Sequence, residues 1–145
     1  MARVDFAHSY RIRVRWSEVD PQAVVFNARY LDYADVAVTE YWREIRRVGL
    51  WDGAPVECHV AKAVVEFRKP IRADEEIDVM ARTPRFGNSS MTTIVEIHGA
   101  DAEDLRAVIE LVAVHIDLSD HRPRRLPDVV RSALGAFDAR AGEPQ

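Results

Sequence analysis

Residues able to do chemistry are sparse in this sequence. Its one cysteine, Cys58, has no CxxC partner and no nucleophile signature around it, and reads as a small apolar residue bound for the interior. His8, His59, His98, His115 and His121 are scattered without metal-ligand spacing, so no metal is expected. Ser89 and Ser90 invite a serine-hydrolase reading, but nothing like GxSxG surrounds them, and they read as a turn and strand entry. Asp20 stands directly before Pro21, a position where aspartate commonly serves a turn. Asp35 falls on the apolar stripe of a predicted helix, where a carboxylate must be paired, capped or at an interface, whereas Glu40 falls on a solvated face. Arg68, Lys69 and Arg72 form one basic group and Arg122, Arg124 and Arg125 another, both at predicted strand ends, where such residues usually face solvent.

The elements that must position these residues follow from periodicity. Tyr10 to Trp16 alternates arginine with large side chains, the period of a half-buried strand. Ser17 to Phe26 is a loop that ends in a short apolar run. Asn27 is suited to cap a helix from Ala28, in which Leu31, Ala34, Val38, Tyr41, Trp42, Ile45 and Val48 recur at three- and four-residue steps and Gly49 is a left-handed stop. Such a helix is about 30 Å long at 1.5 Å per residue, enough to cross a small sheet. Strands are predicted at Val56 to Arg68, Glu76 to Thr83, Ser90 to His98 and Leu105 to Leu118, the last two joined by the hairpin GADAEDL. Pro127 at a first helical position opens a short helix with Val130, Leu134 and Phe137 on its docking face. The economical α+β arrangement is one curved antiparallel sheet of about five strands wrapped around the long helix.

Composition narrows the function classes. The 145 residues carry a net charge of −4 and are 48% hydrophobic, an ordinary balance for one domain spanning residues 1–145. A mildly acidic chain is a poor general binder of nucleic acid. Apolar runs are too short to span a membrane, and the first residues lack the apolar centre of a secretion signal. With a single cysteine, a reduced cytoplasmic setting is the expectation.

The segment RVRWSEVDPQAVVFNARYLDYADVAVTEYWREI resembles the opening of the hot-dog-fold acyl-CoA thioesterases of the 4-hydroxybenzoyl-CoA type, which include the thioesterase encoded with the Tol-Pal envelope system. The shared pattern is an aromatic strand end, an Asp seven residues before the helix cap, an apolar VVF, and a Tyr-rich first helical turn. VVEFRKPIRADEEIDV, GNSS and HIDLSDHRPRRLP extend the likeness over nearly all of the chain. Two departures stand out. Ala23 replaces the usual glycine, so a slightly different loop is expected, and Val38 stands where many members carry arginine.

The resemblance implies thioester hydrolysis, in which Asp20 attacks the carbonyl or activates a water, a role worth about 10²- to 10⁴-fold in rate. It places the oxyanion donor on the backbone of Asn27, at the positive end of the helix, where losing one donor costs on the order of 10²- to 10³-fold. Phe26, Tyr30 and Trp16 are candidates to line an acyl pocket, whose depth would also depend on Phe86. Ser89 and Ser90 are expected close to the substrate channel. Arg68 and Lys69 are the expected holders of the coenzyme A phosphates. The implied protein is a homodimer or homotetramer with sites shared between subunits, acting on acyl-CoA and needing no cofactor, coenzyme A being part of the substrate. The alternatives are a module that binds acyl-CoA or acyl carrier protein without turnover and, less well matched for want of a facing histidine, a hydratase of 3-hydroxyacyl thioesters.

Overall fold

Alternating arginine and large side chains build the first strand, β1, at His8–Arg13, which ends earlier than the alternation to Trp16 predicts. Val14 is buried, after which the chain turns tightly through Trp16–Glu18, leaving Trp16 73% exposed and away from any pocket wall. The computed structural model, which describes residues 2–143, continues with the long helix α1 (Arg29–Arg47) and strands β2 (Cys58–Phe67), β3 (Glu76–Phe86), β4 (Ser90–Gly99) and β5 (Leu105–His115). Helix α2 (Asp128–Asp138) follows. The strands form one antiparallel sheet in the order β1-β3-β4-β5-β2, which leaves β1 and β2 at its edges.

Helix α1 lies across one face of this sheet, as the expected α+β hot-dog arrangement requires. Its buried stripe is Tyr30, Tyr33, Ala34, Ala37, Tyr41 and Ile45, packed with Ile77, Val79, Val95, Ile97 and Ile109 of the sheet. This corrects the expected stripe, because Leu31 is 41% exposed and Val38, Trp42 and Val48 are only partly buried. The small Ala34 and Ala37, both fully buried, let the helix axis approach the strands, and the two tyrosines fill the space beside them. Asp35 is exposed accordingly.

The predicted stop of α1 is present. Gly49 has φ +82°, and the N–H groups of Leu50 and Gly49 donate to the carbonyls of Ile45 and Arg46 at 3.1 and 3.0 Å, closing α1 with a Schellman turn. Pro127 stands one residue before α2 rather than inside it, and Val130, Leu134 and Phe137 dock that helix as expected. No helix among the described residues is long and apolar enough to cross a membrane.

A buried polar cluster fixes α2 against α1 and β3. The Tyr41 hydroxyl donates to Asp138 Oδ1 at 2.8 Å, the Thr83 amide donates to Asp138 Oδ2 at 2.8 Å, and the Thr83 and Thr93 hydroxyls share a bond of 3.1 Å. Burial pushes the Asp138 carboxyl above its ordinary value despite these donors. Tyr41→Phe removes one donor and leaves the buried carboxylate short of a partner. We expect it to lower stability by about 1–3 kcal/mol, read by urea denaturation at neutral pH.

Candidate active site

The loop between β1 and α1 is folded back on itself. Val19 and Val25 form an antiparallel bridge, the Asp20 amide donates to the Val24 carbonyl at 2.9 Å, and the Phe26 amide donates to the Glu18 carbonyl at 3.0 Å. At its tip, the Ala23 amide donates to the Asp20 carbonyl at 2.9 Å and the Gln22 amide to Asp20 Oδ1 at 2.8 Å. Asp20 therefore does make the turn its position before Pro21 suggests. That bond uses one carboxylate oxygen of a half-buried side chain. Ala23 adopts φ +64°, a left-handed conformation to which glycine is better suited, at a cost on the order of 1–2 kcal/mol.

The loop delivers the chain to the start of α1. Asn27 does not cap this helix with its side chain, contrary to the expectation for its type. A turn precedes the helix, with the Arg29 amide donating to the Phe26 carbonyl at 2.9 Å and the Tyr30 amide to the Asn27 carbonyl at 3.3 Å, and the helix itself begins at Arg29, a residue later than expected. The capping position falls on Ala28, which has no acceptor to offer. Among the described residues nothing accepts from the amides of Asn27 and Ala28, which lie exposed at the positive end of the helix.

Beside this helix start is an open hollow of about 250 Å³ lined by Val24, Asn27, Tyr30, Phe67, Arg68 and Lys69, among others. The fold thus brings together Asn27, Tyr30, Arg68 and Lys69, which the sequence separates by up to forty-two positions. Tyr30 is buried and packs edge-on against Phe67 with ring centroids 4.8 Å apart, whereas Phe26 is 52% exposed next to the hollow rather than in its wall. The cations are not bare. Arg68 pairs with Glu66 at 3.2 Å and Lys69 with Asp104 at 2.7 Å, and Asp104 also takes Arg106 at 2.8 Å. Arg106 and Lys69 hold the Asp104 carboxyl down at about 2.

Ser89 and Ser90 lie elsewhere in the subunit. Ser90 pairs with Val114 of β5, which in turn pairs with His59 near the start of β2, whereas the hollow borders Phe67 at the end of β2. The separation along the strands is about 26 Å at 3.3 Å per residue. Arg125 joins the serine end, its guanidinium donating to Asn88 Oδ1 at 3.1 Å and pairing with Asp128 at 3.0 Å. Cys58, half-buried on β2, has its thiol pushed up to about 11 by burial, as an inert side chain would. Among the described residues no group of three or more His, Cys, Asp or Glu side chains is arranged to hold a metal.

Glu18 is the residue that sequence reasoning passed over. It is 7% exposed, and its carboxylate accepts from the Arg15 amide at 2.8 Å, the Arg15 guanidinium at 3.2 Å and the Tyr33 hydroxyl at 3.1 Å. One side chain thereby ties the entry of the Asp20 loop to the second turn of α1. The only local signal was the three-residue step from Arg15 to Glu18; the Tyr33 partner lies fifteen residues away.

A model of the thioesterase-like superfamily matches residues 14–134. A search of curated proteins gave no match. Among solved structures, the chain is similar to a protein from Pseudomonas aeruginosa at 27% identity and a TM-score of 0.81, with 94% of each chain covered. It is similar to a thioesterase from Thermus thermophilus complexed with coenzyme A and zinc at 26% identity and a TM-score of 0.79, with 94% of this chain and 98% of that one covered. A 1,4-dihydroxy-2-naphthoyl-CoA thioesterase from Synechocystis shares the fold at 19% identity and a TM-score of 0.74, over 90% of this chain and 97% of that one.

The Glu18 tie has a pH signature. Burial raises its pKa, but the Arg15 and Tyr33 donors outweigh that effect and hold it below the ordinary 4.5. A carboxyl depressed in the folded state adds stability above its unfolded pKa and loses it as the pH falls through the folded value. We expect Glu18→Gln to cost about 1–3 kcal/mol at pH 7, and urea denaturation of the two proteins to converge as the pH drops below 4.5.

Proposed function

The chain belongs to the thioesterase-like superfamily, and from that premise we propose that it is an acyl-CoA thioesterase, releasing a free carboxylic acid and coenzyme A. The observation that supports this reading is a helix start whose amides at Asn27 and Ala28 have no internal acceptor among the described residues, reached by a short loop that carries the half-buried carboxylate of Asp20, although Asp20 itself does not line the hollow. A thioester carbonyl set against those amides would gain hydrogen bonds as its oxygen becomes an oxyanion. Asp20, with one oxygen engaged by the Gln22 amide, has the other for attack on the carbonyl carbon or for taking a proton from water. Collapse of the adduct breaks the C–S bond and the thiolate leaves as coenzyme A; on the nucleophilic route water then hydrolyses the Asp20 mixed anhydride to the free acid, and on the general-base route the proton held by Asp20 passes to the leaving thiolate. The likeness to a thioesterase holding coenzyme A, together with Arg68 and Lys69 beside the hollow, supports this class of leaving group.

In this reading the working unit is at least a dimer. Strand β2 is an edge with Val60, Val64 and Phe67 exposed, a template for pairing with a second β2 in antiparallel register. Such pairing would set the start of one β2 beside the end of the other. Ser89 and Ser90 of the second copy would then reach the hollow from which the same residues of the first are about 26 Å away.

Asp20→Asn is expected to lower thiol release from acyl-CoAs by about 10²- to 10⁴-fold, and Asn27→Ala, which keeps the backbone donor, by much less. Equal rates from wild type and Asp20→Asn would refute the mechanism; binding of acyl-CoA by the wild type with no release would make the protein a binding module. Light scattering at micromolar concentration should give a dimer or tetramer. Val64→Lys, which sets like charges across the two-fold axis, should yield monomers with reduced thiol release, and a fully active wild-type monomer would contradict a shared site.

A further inference from the structure

A second cavity, of about 310 Å³, runs between α1 and the sheet. The helix lines it with Leu31, Val38 and Trp42, and the sheet with Val60, Met91 and Leu111. Its two polar lining residues do little to spoil the apolar surface. Asp35 is exposed, which keeps its carboxylate hydrated at the rim, and the Thr93 hydroxyl is already bonded to Thr83 at 3.1 Å. This cavity accounts for the side chains that the expected core stripe misassigned, since Leu31, Val38 and Trp42 face it instead of the interior.

Its dimensions match one kind of occupant. The cavity begins at Leu31, one helical turn beyond Asn27, so an acyl chain whose carbonyl meets the helix start has about 6 Å of helix to pass before it enters, the cavity sharing no lining residue with the hollow. Eleven residues separate Leu31 from Trp42, about 16 Å along the helix. Trp42 stands at the far end, packed edge-on against Trp51 with centroids 6.3 Å apart. An extended alkyl chain with C–C bonds of about 1.5 Å advances about 1.3 Å per carbon, so roughly a dozen carbons cover that distance. An aromatic acyl group would fill less than half of the length, and of the two polar lining residues Asp35 is exposed at the rim and the Thr93 hydroxyl is already bonded to Thr83.

The geometry points to straight-chain saturated acyl groups of medium length as the substrate class, with Trp42 as the residue that sets the upper limit of chain length; this rests on the thioesterase reading. The helix lays the acyl chain along its own axis, and each methylene that enters the groove leaves water. Beyond the Trp42 floor further methylenes have nowhere apolar to go.

The test is the chain-length profile of thiol release for wild type, Trp42→Ala and Val38→Phe, each checked for folding by circular dichroism. For the wild type, kcat/KM should rise about fourfold per added methylene up to about ten to twelve carbons and then fall. Trp42→Ala should move the optimum to longer chains, and Val38→Phe, which obstructs the middle of the groove, should move it to shorter ones. A preference for aromatic or two-carbon acyl groups, or a profile that neither variant shifts because side chains of a second copy fill the groove, would overturn the assignment. Binding of non-hydrolysable acyl-CoA thioethers of the same lengths, measured by calorimetry, separates the two readings. Length-dependent binding without thiol release from any acyl-CoA would keep the groove and remove hydrolysis. Thiol release without length dependence would do the reverse.

Discussion

A nineteen-residue helix stays on a five-stranded sheet only if one face of it can come close enough to exclude water along its whole length. In this protein that contact depends on Ala34 and Ala37, both fully buried, flanked by Tyr30, Tyr33, Tyr41 and Ile45. Larger residues at the two alanine positions would lift α1 off β3 and β4. The functional geometry hangs on this contact, because the helix start, the hollow beside it and the groove along it are all set by where the helix axis lies. The same contact sets a limit, since only one stripe of α1 can touch the sheet closely. The adjoining stripe of Leu31, Val38 and Trp42 is apolar too, but stands off from the strands and leaves room between them.

Charge is arranged so that few cations are left without an anion. On the surface of β3, Asp78 takes Arg3 at 2.8 Å and Arg11 at 2.9 Å and also accepts the Asp101 amide, which together hold its carboxyl at about 2 despite burial. Near the hollow, Glu66, Asp104 and Glu75 answer Arg68, Lys69 and Arg106. A phosphate-bearing ligand there would have to compete with carboxylates already in place. Exposed pairs of this kind are each worth only about 0–1 kcal/mol, so the exchange is cheap for Arg68 and Lys69. Arg106, only 12% exposed and bonded to both Glu75 and Asp104, is by contrast fixed in the framework. The net charge of −4 therefore says little about any one place on the surface.

The element order, the Gly49 stop, the hairpin at Gly99 and the docking face of α2 were legible because each depends on neighbours a few residues apart. The phase of α1 was not. The expected stripe shares Ala34, Tyr41 and Ile45 with the buried one but takes Leu31, Val38, Trp42 and Val48 in place of Tyr30, Tyr33 and Ala37, and periodicity cannot choose between neighbours about 100° apart. The sheet chose, through Ala37 and two tyrosines that the pattern passed over. Asp20 and Asn27 could be singled out together because they stand on one loop. The meeting of Asn27 with Arg68 and Lys69 could not, since it depends on the end of β2 packing beside the helix start, as Tyr30 against Phe67 records. Glu18 was hidden for a different reason. A charged residue in a polar-looking loop gives no hint that it will be buried, and its burial is tolerable only because three donors from Arg15 and Tyr33 converge on it.

The start of α1 shows how stability and the proposed chemistry bear on the same atoms. A serine, threonine or aspartate at the Ala28 position would accept from an amide of the first turn and add on the order of 1 kcal/mol to the helix. It would also place an oxygen, and with aspartate a negative charge, where the proposed reaction builds an oxyanion. Alanine forgoes the cap and keeps the helix end electropositive, and the helix is held instead by means remote from that end. Glu18 grips Tyr33 from the loop side, and Tyr41 binds Asp138 and through it α2. Because those anchors lie on the second turn and near the middle of α1, the first-turn amides need not contribute to holding the helix, and an acyl oxygen can approach them without displacing any bond on which the fold depends.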